Sequence, residues 1–366
     1  MDKRVKVLSN ISWRFAERAG ARAVSFIVTL VIARILSPSD YGVIAMVNVF
    51  IELADVIVAS GFGSAVIQKK DADELDYSSA FYFQLVLSAL TYIILFFSAP
   101  YIQRFYGKQY ILLSSVLRIL GLRLFLVALN SMQNAYVSKH MQYKKFLFAT
   151  LSGTIISAFL GIVSAYQGFG VWALVIQYLS NSIINTLVLW ITVEWHPVLK
   201  FSFYRLKQLY SYGWKLLATS LVDIGYQKLR DLLIGKIYSS ADLAFYNRGT
   251  SFPSLIVSNI NTSIDNVIFP VMSNEQDNIE KVKAMARRSI KTSSYIMFPM
   301  MMGMAVCAEP IIRLILTEKW LPAVPFLQIF CFVYAWQPIH TANLNAIKAL
   351  GCSGLYLKLG IWRDII

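Results

Sequence analysis

The stretch "FLFATLSGTIISAFLGIVSAY", residues 146–166, runs for twenty-one positions without a charged side chain. A helix needs about 20 such residues to cross the hydrocarbon of a bilayer. Three further runs compare with it: "SSAFYFQLVLSALTYIILFFSAPY", "VWALVIQYLSNSIINTLVLWITV" and "TSSYIMFPMMMGMAVCA". In hydrocarbon every backbone N–H and C=O must find a partner within the chain, so only helices and closed barrels span a membrane. None of the four runs alternates strictly between polar and apolar residues, as barrel strands do, so the reading is helical. Composition agrees: 57% of residues are hydrophobic and 15% charged, where a soluble domain carries about a quarter charged.

The sequence predicts an all-α, polytopic transmembrane helix bundle. Ten spans are expected, at roughly 13–35, 41–66, 79–100, 110–131, 146–166, 171–193, 213–237, 242–272, 290–308 and 322–345, with an eleventh starting near Leu355. The net charge of +14 has a topological explanation. With the N-terminus inside, sixteen Lys and Arg fall in inside segments, among them Lys3, Arg4, Lys69, Lys70, Lys139, Lys144, Lys145, Lys281, Lys283 and Arg287, against six outside. Lys and Arg gather in cytoplasmic loops, so the N-terminus is expected in the cytoplasm. A nucleic-acid role would want a soluble basic domain, and none is visible. The first apolar run follows Arg14, Arg18 and Arg22 and leads to no small-residue cleavage site, so the first span reads as retained rather than as a cleaved signal. Three scattered cysteines and three histidines on separate segments suggest neither a disulfide nor a metal site.

A repeat organises the chain. "ARILSPSDYG" begins at Ala33, and "GKIYSSADLA" at Gly235; at an offset of 202, Arg34 matches Lys236, Ile35 matches Ile237, Ser37 matches Ser239 and Asp40 matches Asp242. Six spans separate the copies. An even number keeps both copies in one orientation, so the expected architecture is two parallel six-helix lobes, with residues 1–200 as the N-terminal lobe and 201–366 as an incomplete C-terminal lobe. Under the offset, Ile366 corresponds to residue 164, inside the fifth span of the first lobe. The expectation is therefore a C-terminally truncated form of a protein with at least twelve spans.

Polar residues inside spans cost several kcal/mol unless they face a partner or water, so their helical positions carry information. Arg14, Arg18 and Arg22 recur at intervals of four on the first span, and Asn48, Glu52 and Asp55 lie on one face of the second. The seventh span has Asp223, Gln227 and Asp231 on one stripe beside Lys228 and Arg230; the eighth carries Asn261 and Asp265 on a polar stripe flanked by Arg248 and Asn259. These four spans are the first two of each repeat, which predicts a hydrophilic cavity between lobes. The alternative is plain packing, with Arg18 or Arg22 paired to Glu52 or Asp55. Arg118 and Arg123 on the fourth span are weaker candidates that could snorkel to an interface. Arg34 and Lys236 read as paired rim or gate positions.

The stretches "ARILSPSDYGVIAM", "GFGSAVIQKKD", "QNAYVSKHMQYKKF", "GFGVWALVIQ", "YGWKLLATSLVDIGYQKLRDLLIGKIYSSADLAFYNRG" and "AVCAEPIIRLILTEKWLPAVPFLQI" resemble the Wzx-type polysaccharide flippases. These are the polysaccharide-exporter branch of the multidrug/oligosaccharidyl-lipid/polysaccharide superfamily, and the likeness is greatest to exporters of the colanic-acid and teichuronic-acid type. The resemblance implies a transporter and no enzyme: it would carry an undecaprenyl-pyrophosphate-linked oligosaccharide across the inner membrane by alternating access, for surface polysaccharide synthesis. It implies no cofactor. It makes the lipid-linked oligosaccharide, membrane lipids, a coupling proton or Na⁺ and a polysaccharide polymerase the expected partners. On that basis Arg18, Arg22, Asn48, Lys228, Arg230, Arg248 and Asn261 are candidates for pyrophosphate and sugar, with Glu52, Asp55, Asp223, Asp231 and Asp265 for the coupling ion. A multidrug or cation antiporter of the same superfamily is the alternative. A membrane glycosyltransferase or polymerase would need a catalytic acid or metal-binding carboxylates on a loop, and the loops here are short and mostly basic.

Overall fold

A computed structural model of the chain describes residues 20–21, 24–351 and 359, with backbone alone at 259, 261–267 and 270. Among the described residues it is helical throughout, without strands. In chain order the helices are α1 (Val24–Ile35), α2 (Pro38–Ala59), α3 (Phe62–Gln68), α4 (Glu74–Tyr106), α5 (Leu113–Gly121), α6 (Arg123–Lys139), α7 (Tyr143–Tyr166), α8 (Val171–Thr192), α9 (Phe203–Ile237), α10 (Ser240–Ser273), α11 (Ile279–Val306), α12 (Ala308–Ile315), a 3₁₀ turn (Glu318–Ala323), α13 (Val324–Ala335) and α14 (Gln337–Ala349). Within the described residues the ten expected spans fall mainly on helix; the start of the first and the eleventh, near Leu355, lie outside the described residues.

Among the described residues, six helical segments are long and apolar enough to cross a membrane: Pro38–Gln68, Glu74–Tyr106, Leu113–Lys139, Tyr143–Tyr166, Val171–Thr192 and Glu318–Ala349. A seventh, α11 with α12, is bent by 67° at Cys307. The chain is thus a multi-span membrane protein. The fourth span runs on to Lys139, eight residues beyond its expected end, and the tenth is built from a 3₁₀ turn and two helices. Helices α9 and α10, at 35 and 34 residues, are long enough to span but carry the charged stripes.

The repeat is visible in atomic detail at the helix starts. Ser37 caps α2: its N–H and hydroxyl both donate to Asp40 Oδ2 (3.1 and 2.6 Å), and its Oγ accepts from Asp40 N–H at 3.2 Å. Ser239 and Asp242 repeat all three bonds at 3.0, 2.6 and 3.1 Å. Such capping boxes satisfy backbone donors that a helix start leaves open. A third box, Asp73 with Asp76, starts α4. The hydrogen bond from Asp76 N–H holds the Asp73 carboxyl below its ordinary range.

Two compact units divide the chain at Leu243/Ala244. The first has one core of Ile32, Met46, Val47, Val58, Leu117, Leu120 and Leu124, and a second of Phe62, Tyr77, Phe81, Met132, Trp195 and Leu206. Within it α9 packs against α2, α3 and α4. Gly153 and Gly161 let α7 approach α8 closely: a Cβ at Gly153 would stand 3.1 Å from the Asn181 carbonyl, the small-residue contact by which membrane helices associate. The opposite face of α7 exposes Ile155, Phe159 and Leu160, the surface a lipid environment covers. In the second unit Met272, Val282, Ala286 and Ala349 pack together, and Trp320 is fully buried.

Candidate functional site

Helices α2 and α9 run antiparallel and meet closely at both ends. At one end a Cβ on Gly42 would lie 1.7 Å from the Ser240 carbonyl oxygen, and Gly235 sits against Met46 and Tyr106. At the other, Gly61, at φ +69°, leaves no room for a Cβ beside the Gly213 carbonyl, 2.4 Å away. Between these contacts the charged stripes of the two helices face each other. Lys228 Nζ lies 3.1 Å from Glu52 Oε2 and 3.6 Å from Asp231 Oδ2. Among the described residues, one ammonium therefore serves two carboxyl groups.

One turn along α2, Asp55 Oδ2 accepts a charged contact from the Arg123 guanidinium at 3.1 Å, while its Oδ1 is buried without a hydrogen-bond partner. Arg123 opens α6 and forms one wall of an open pocket of about 310 Å³. Asn130, Ser131 and Asn134 continue that wall along α6, and Asn181, Ser182 and Asn185 face them from α8, with Ala59 of α2 between. The spacings of three and four place each set on a single helix face. Four side-chain amides and a guanidinium in one membrane-embedded pocket make a surface that both donates and accepts hydrogen bonds, beside a fixed positive charge.

The orientation of the amides follows from their neighbours. Thr186 donates its hydroxyl to the Ser182 carbonyl at 2.7 Å, so its oxygen can only accept, and Asn130 Nδ2 donates to it at 2.8 Å. This leaves Asn130 Oδ1 buried and without a partner. Ser157 likewise donates to Thr154 O, and Asn181 Nδ2 donates to Ser157 Oγ at 3.3 Å. Gln84 Nε2 supports the pocket from behind through the Ala59 carbonyl and Ser131 Oγ, each at 2.9 Å.

Of the residues singled out in the sequence, the structure brings together Glu52, Lys228 and Asp231, and places Asp55 a turn away with Arg123. Among the described residues, Glu52 meets Lys228 and Asp55 meets Arg123; the expected pairing with Arg18 or Arg22 lies outside the described residues. Arg18 and Arg22 lie outside the described residues, as do the side chains of Asn261 and Asp265. Asn48 is half-buried on α2, and Asp223 and Arg230 are exposed on α9. The Arg230 guanidinium lies 5.7 Å from the Tyr226 ring. Arg248, in the second unit, stands 5.3 Å from the ring of buried Trp320. Arg34 is exposed at the end of α1. Lys236 donates to the Phe105 carbonyl and lies 4.8 Å over the same residue's ring, which anchors the end of α9 to the end of α4.

The amide pocket was not foreseen. Its signal was present as Asn130 and Asn134, and again as Asn181 and Asn185, each pair four residues apart in an otherwise apolar span. A search that follows charge passes over them. No cluster of His, Cys, Asp and Glu able to hold a metal ion occurs among the described residues.

Comparison with known proteins agrees with this architecture. The chain is 25% identical over 311 residues to the teichuronic acid biosynthesis protein TuaB of Bacillus subtilis, covering 82% of this chain and 62% of TuaB. It is 22% identical over 368 residues to the lipopolysaccharide biosynthesis protein WzxC of Escherichia coli, covering the whole chain and 74% of WzxC. Among solved structures, the lipid II flippase MurJ in an inward closed conformation superposes with a TM-score of 0.73 at 14% identity, covering 92% of this chain and 76% of that one. An inward-facing MATE multidrug transporter gives 0.69 at 16%, covering 93% and 84%. At these identities the solved structures speak for the fold, a transmembrane helical bundle. The sequence relationship reaches further, because the family model for polysaccharide biosynthesis proteins matches residues 31–325, and the chain belongs to that family.

Proposed function

We propose that this chain is part of a flippase that moves an undecaprenyl-pyrophosphate-linked oligosaccharide across the bacterial inner membrane for surface polysaccharide synthesis, by alternating access. The observation that carries the reading is the pairing of charges inside membrane-spanning helices, Glu52 with Lys228 and Asp55 with Arg123, next to an open amide-lined pocket. An oligosaccharide head and its pyrophosphate are both costly in hydrocarbon, and a transporter for them needs this kind of polar lining. The names of the relatives support it: polysaccharide biosynthesis for TuaB and WzxC, and succinoglycan biosynthesis transport for ExoT of Rhizobium meliloti, 21% identical over 321 residues. The protein is accordingly a transporter rather than an enzyme, with a polysaccharide polymerase acting on what it delivers.

In this reading Arg18 and Arg22, with Lys228, Arg230 and Arg248, supply positive charge for pyrophosphate, and Asn48 and Asn261 serve sugar hydroxyls. The two carboxyl groups that share Lys228, Glu52 and Asp231, are the natural seat for a coupling proton or Na⁺, with Asp55, Asp223 and Asp265 as further carboxylates. Arg34 and Lys236 stand at the outer ends of their helices as rim residues, the N-terminus being cytoplasmic. The test is a deletion strain. Lipid-linked repeat units should accumulate while their synthesis continues, and the full-length gene should clear them. Loss of the repeat units themselves would point to an enzyme instead.

A further inference from the structure

The amide pocket between α6 and α8 adjoins the α2 stripe through the Asp55–Arg123 pair, and its chemistry is more specific than general polarity. Arg123 calls for an anion. Asn130 lines the pocket and its Oδ1 is buried and unpartnered, so it calls for a hydrogen-bond donor, which a bare anion cannot supply. Buried polar atoms without partners are uncommon and costly. A ligand offering negative charge and a hydroxyl donor at once would satisfy both groups. The volume, about 310 Å³, is at the small end of the range for small-molecule sites, about 300–1,000 Å³, and suits one or two sugar rings rather than a whole oligosaccharide.

We propose that this pocket is a subsite for an anionic saccharide, in which Arg123 exchanges its Asp55 partner for the carboxylate or phosphate of the ligand and the amides of Asn130, Asn134, Asn181 and Asn185 hold its hydroxyls. The assignment rests on the reading that the cargo is a lipid-linked oligosaccharide, and it says which part of that cargo this pocket takes: a sugar with negative charge within reach. Two sources provide that chemistry: an acidic sugar in the repeat unit, or the phosphate attached to its first sugar. The Asp55–Arg123 pair keeps the guanidinium compensated while the pocket is empty, since an unpaired charge in a spanning helix is costly. A bidentate carboxylate or phosphate is an equal or better partner for arginine, so exchange keeps the guanidinium compensated and adds the amide contacts, while the released Asp55 carboxylate takes up a proton from water and becomes neutral. Asp55 also confers selectivity: a neutral sugar has nothing to displace it with.

The experiment measures binding to the detergent-solubilised full chain by saturation-transfer NMR, with glucose, glucuronate and glucose 1-phosphate as probes. Wild-type protein should bind at least one anionic probe more tightly than glucose. Arg123→Gln should bring that probe down to the level of glucose, and Asn134→Leu, at an exposed position, should weaken all three. Asp55→Asn removes the competing carboxylate and keeps the shape, so it should tighten the anionic probe by about tenfold and leave glucose unchanged. A misfolded variant could not produce this gain. Lys283→Gln, on an exposed helix face, should change nothing. Preference for glucuronate assigns the acidic sugar as source, and preference for glucose 1-phosphate assigns the phosphate. If neither anion binds better than glucose, or if Asp55→Asn weakens the anion, the subsite is wrong. These outcomes are independent of transport: a deletion strain without accumulated repeat units would overturn the flippase reading and leave the binding result standing.

Discussion

Lys228 holds two carboxylates with one ammonium, and that imbalance makes it sensitive to substitution. Lys228→Met leaves Glu52 and Asp231 close together with their shared cation gone. Removing one partner of a fully buried pair costs about 3–5 kcal/mol. Here the Lys228 and Glu52 side chains are 22% and 37% exposed, so water offsets much of that, and a loss of about 1–2 kcal/mol is expected by thermal unfolding of the purified protein. Adding Glu52→Gln to Lys228→Met should restore part of it, with a coupling of about 1 kcal/mol in a double-mutant cycle. A coupling near zero would mean that the contact carries no energy. The charges of this cluster were legible in the sequence because a charged residue in an apolar span announces itself. Their pairing was not, because helical spacing tells which face a residue occupies and not which helix lies opposite. Asp55 thus meets Arg123 of the fourth span, a residue that could equally have snorkelled to an interface.

At the scale of elements, the glycines of α2 and α9 decide how closely the two helices approach. Gly42→Ala would place a methyl 1.7 Å from the Ser240 carbonyl, so either α2 or the start of α10 must move. Overpacking of this kind costs about 1–3 kcal/mol. Gly225→Ala on α9 is the matched control, since nothing lies within 4 Å of its added Cβ, and it should be neutral or stabilising by up to about 1 kcal/mol through helix propensity. Both are read from melting curves of the purified variants, and equal effects at the two positions would refute the close contact. The caps make a second pair: Ser37→Ala and Ser239→Ala should each cost about 1 kcal/mol, and by similar amounts, because their bonds match to within 0.2 Å. The offset of 202 foretold that these junctions are equivalent. It could not foretell that Gly42, just after one junction, packs on Ser240 of the other, because equivalence under a repeat does not require contact.

For the whole molecule, the distribution of charge along the chain sets the orientation that the flippase reading requires. The loops after α3 and α8 carry Lys69, Lys70 and Lys200, and the junction of α6 and α7 is flanked by Lys139, Lys144 and Lys145, whereas the turns after α4 and α7 are poor in positive charge, with Lys108 in the first and none in the second. Each successive span reverses direction, so these two groups of loops are expected on opposite sides, with the basic group in the cytoplasm. Substituting Cys307, Cys331 and Cys352 by Ser leaves a background for single cysteines at Lys70, Lys108, Gln167 and Lys200. Of these, Lys70, Lys108, Gln167 and Lys200 are all exposed. A membrane-impermeant maleimide should label Lys108→Cys and Gln167→Cys in intact spheroplasts, and Lys70→Cys and Lys200→Cys only after permeabilisation. The reverse pattern would turn the protein over and place the rim residues Arg34 and Lys236 in the cytoplasm. A mixed pattern would break the alternation of spans on which the parallel repeat depends: the second copy shares the orientation of the first only if six spans separate them, and that parity is what lets Ser37 and Ser239 cap helices starting from the same side of the membrane.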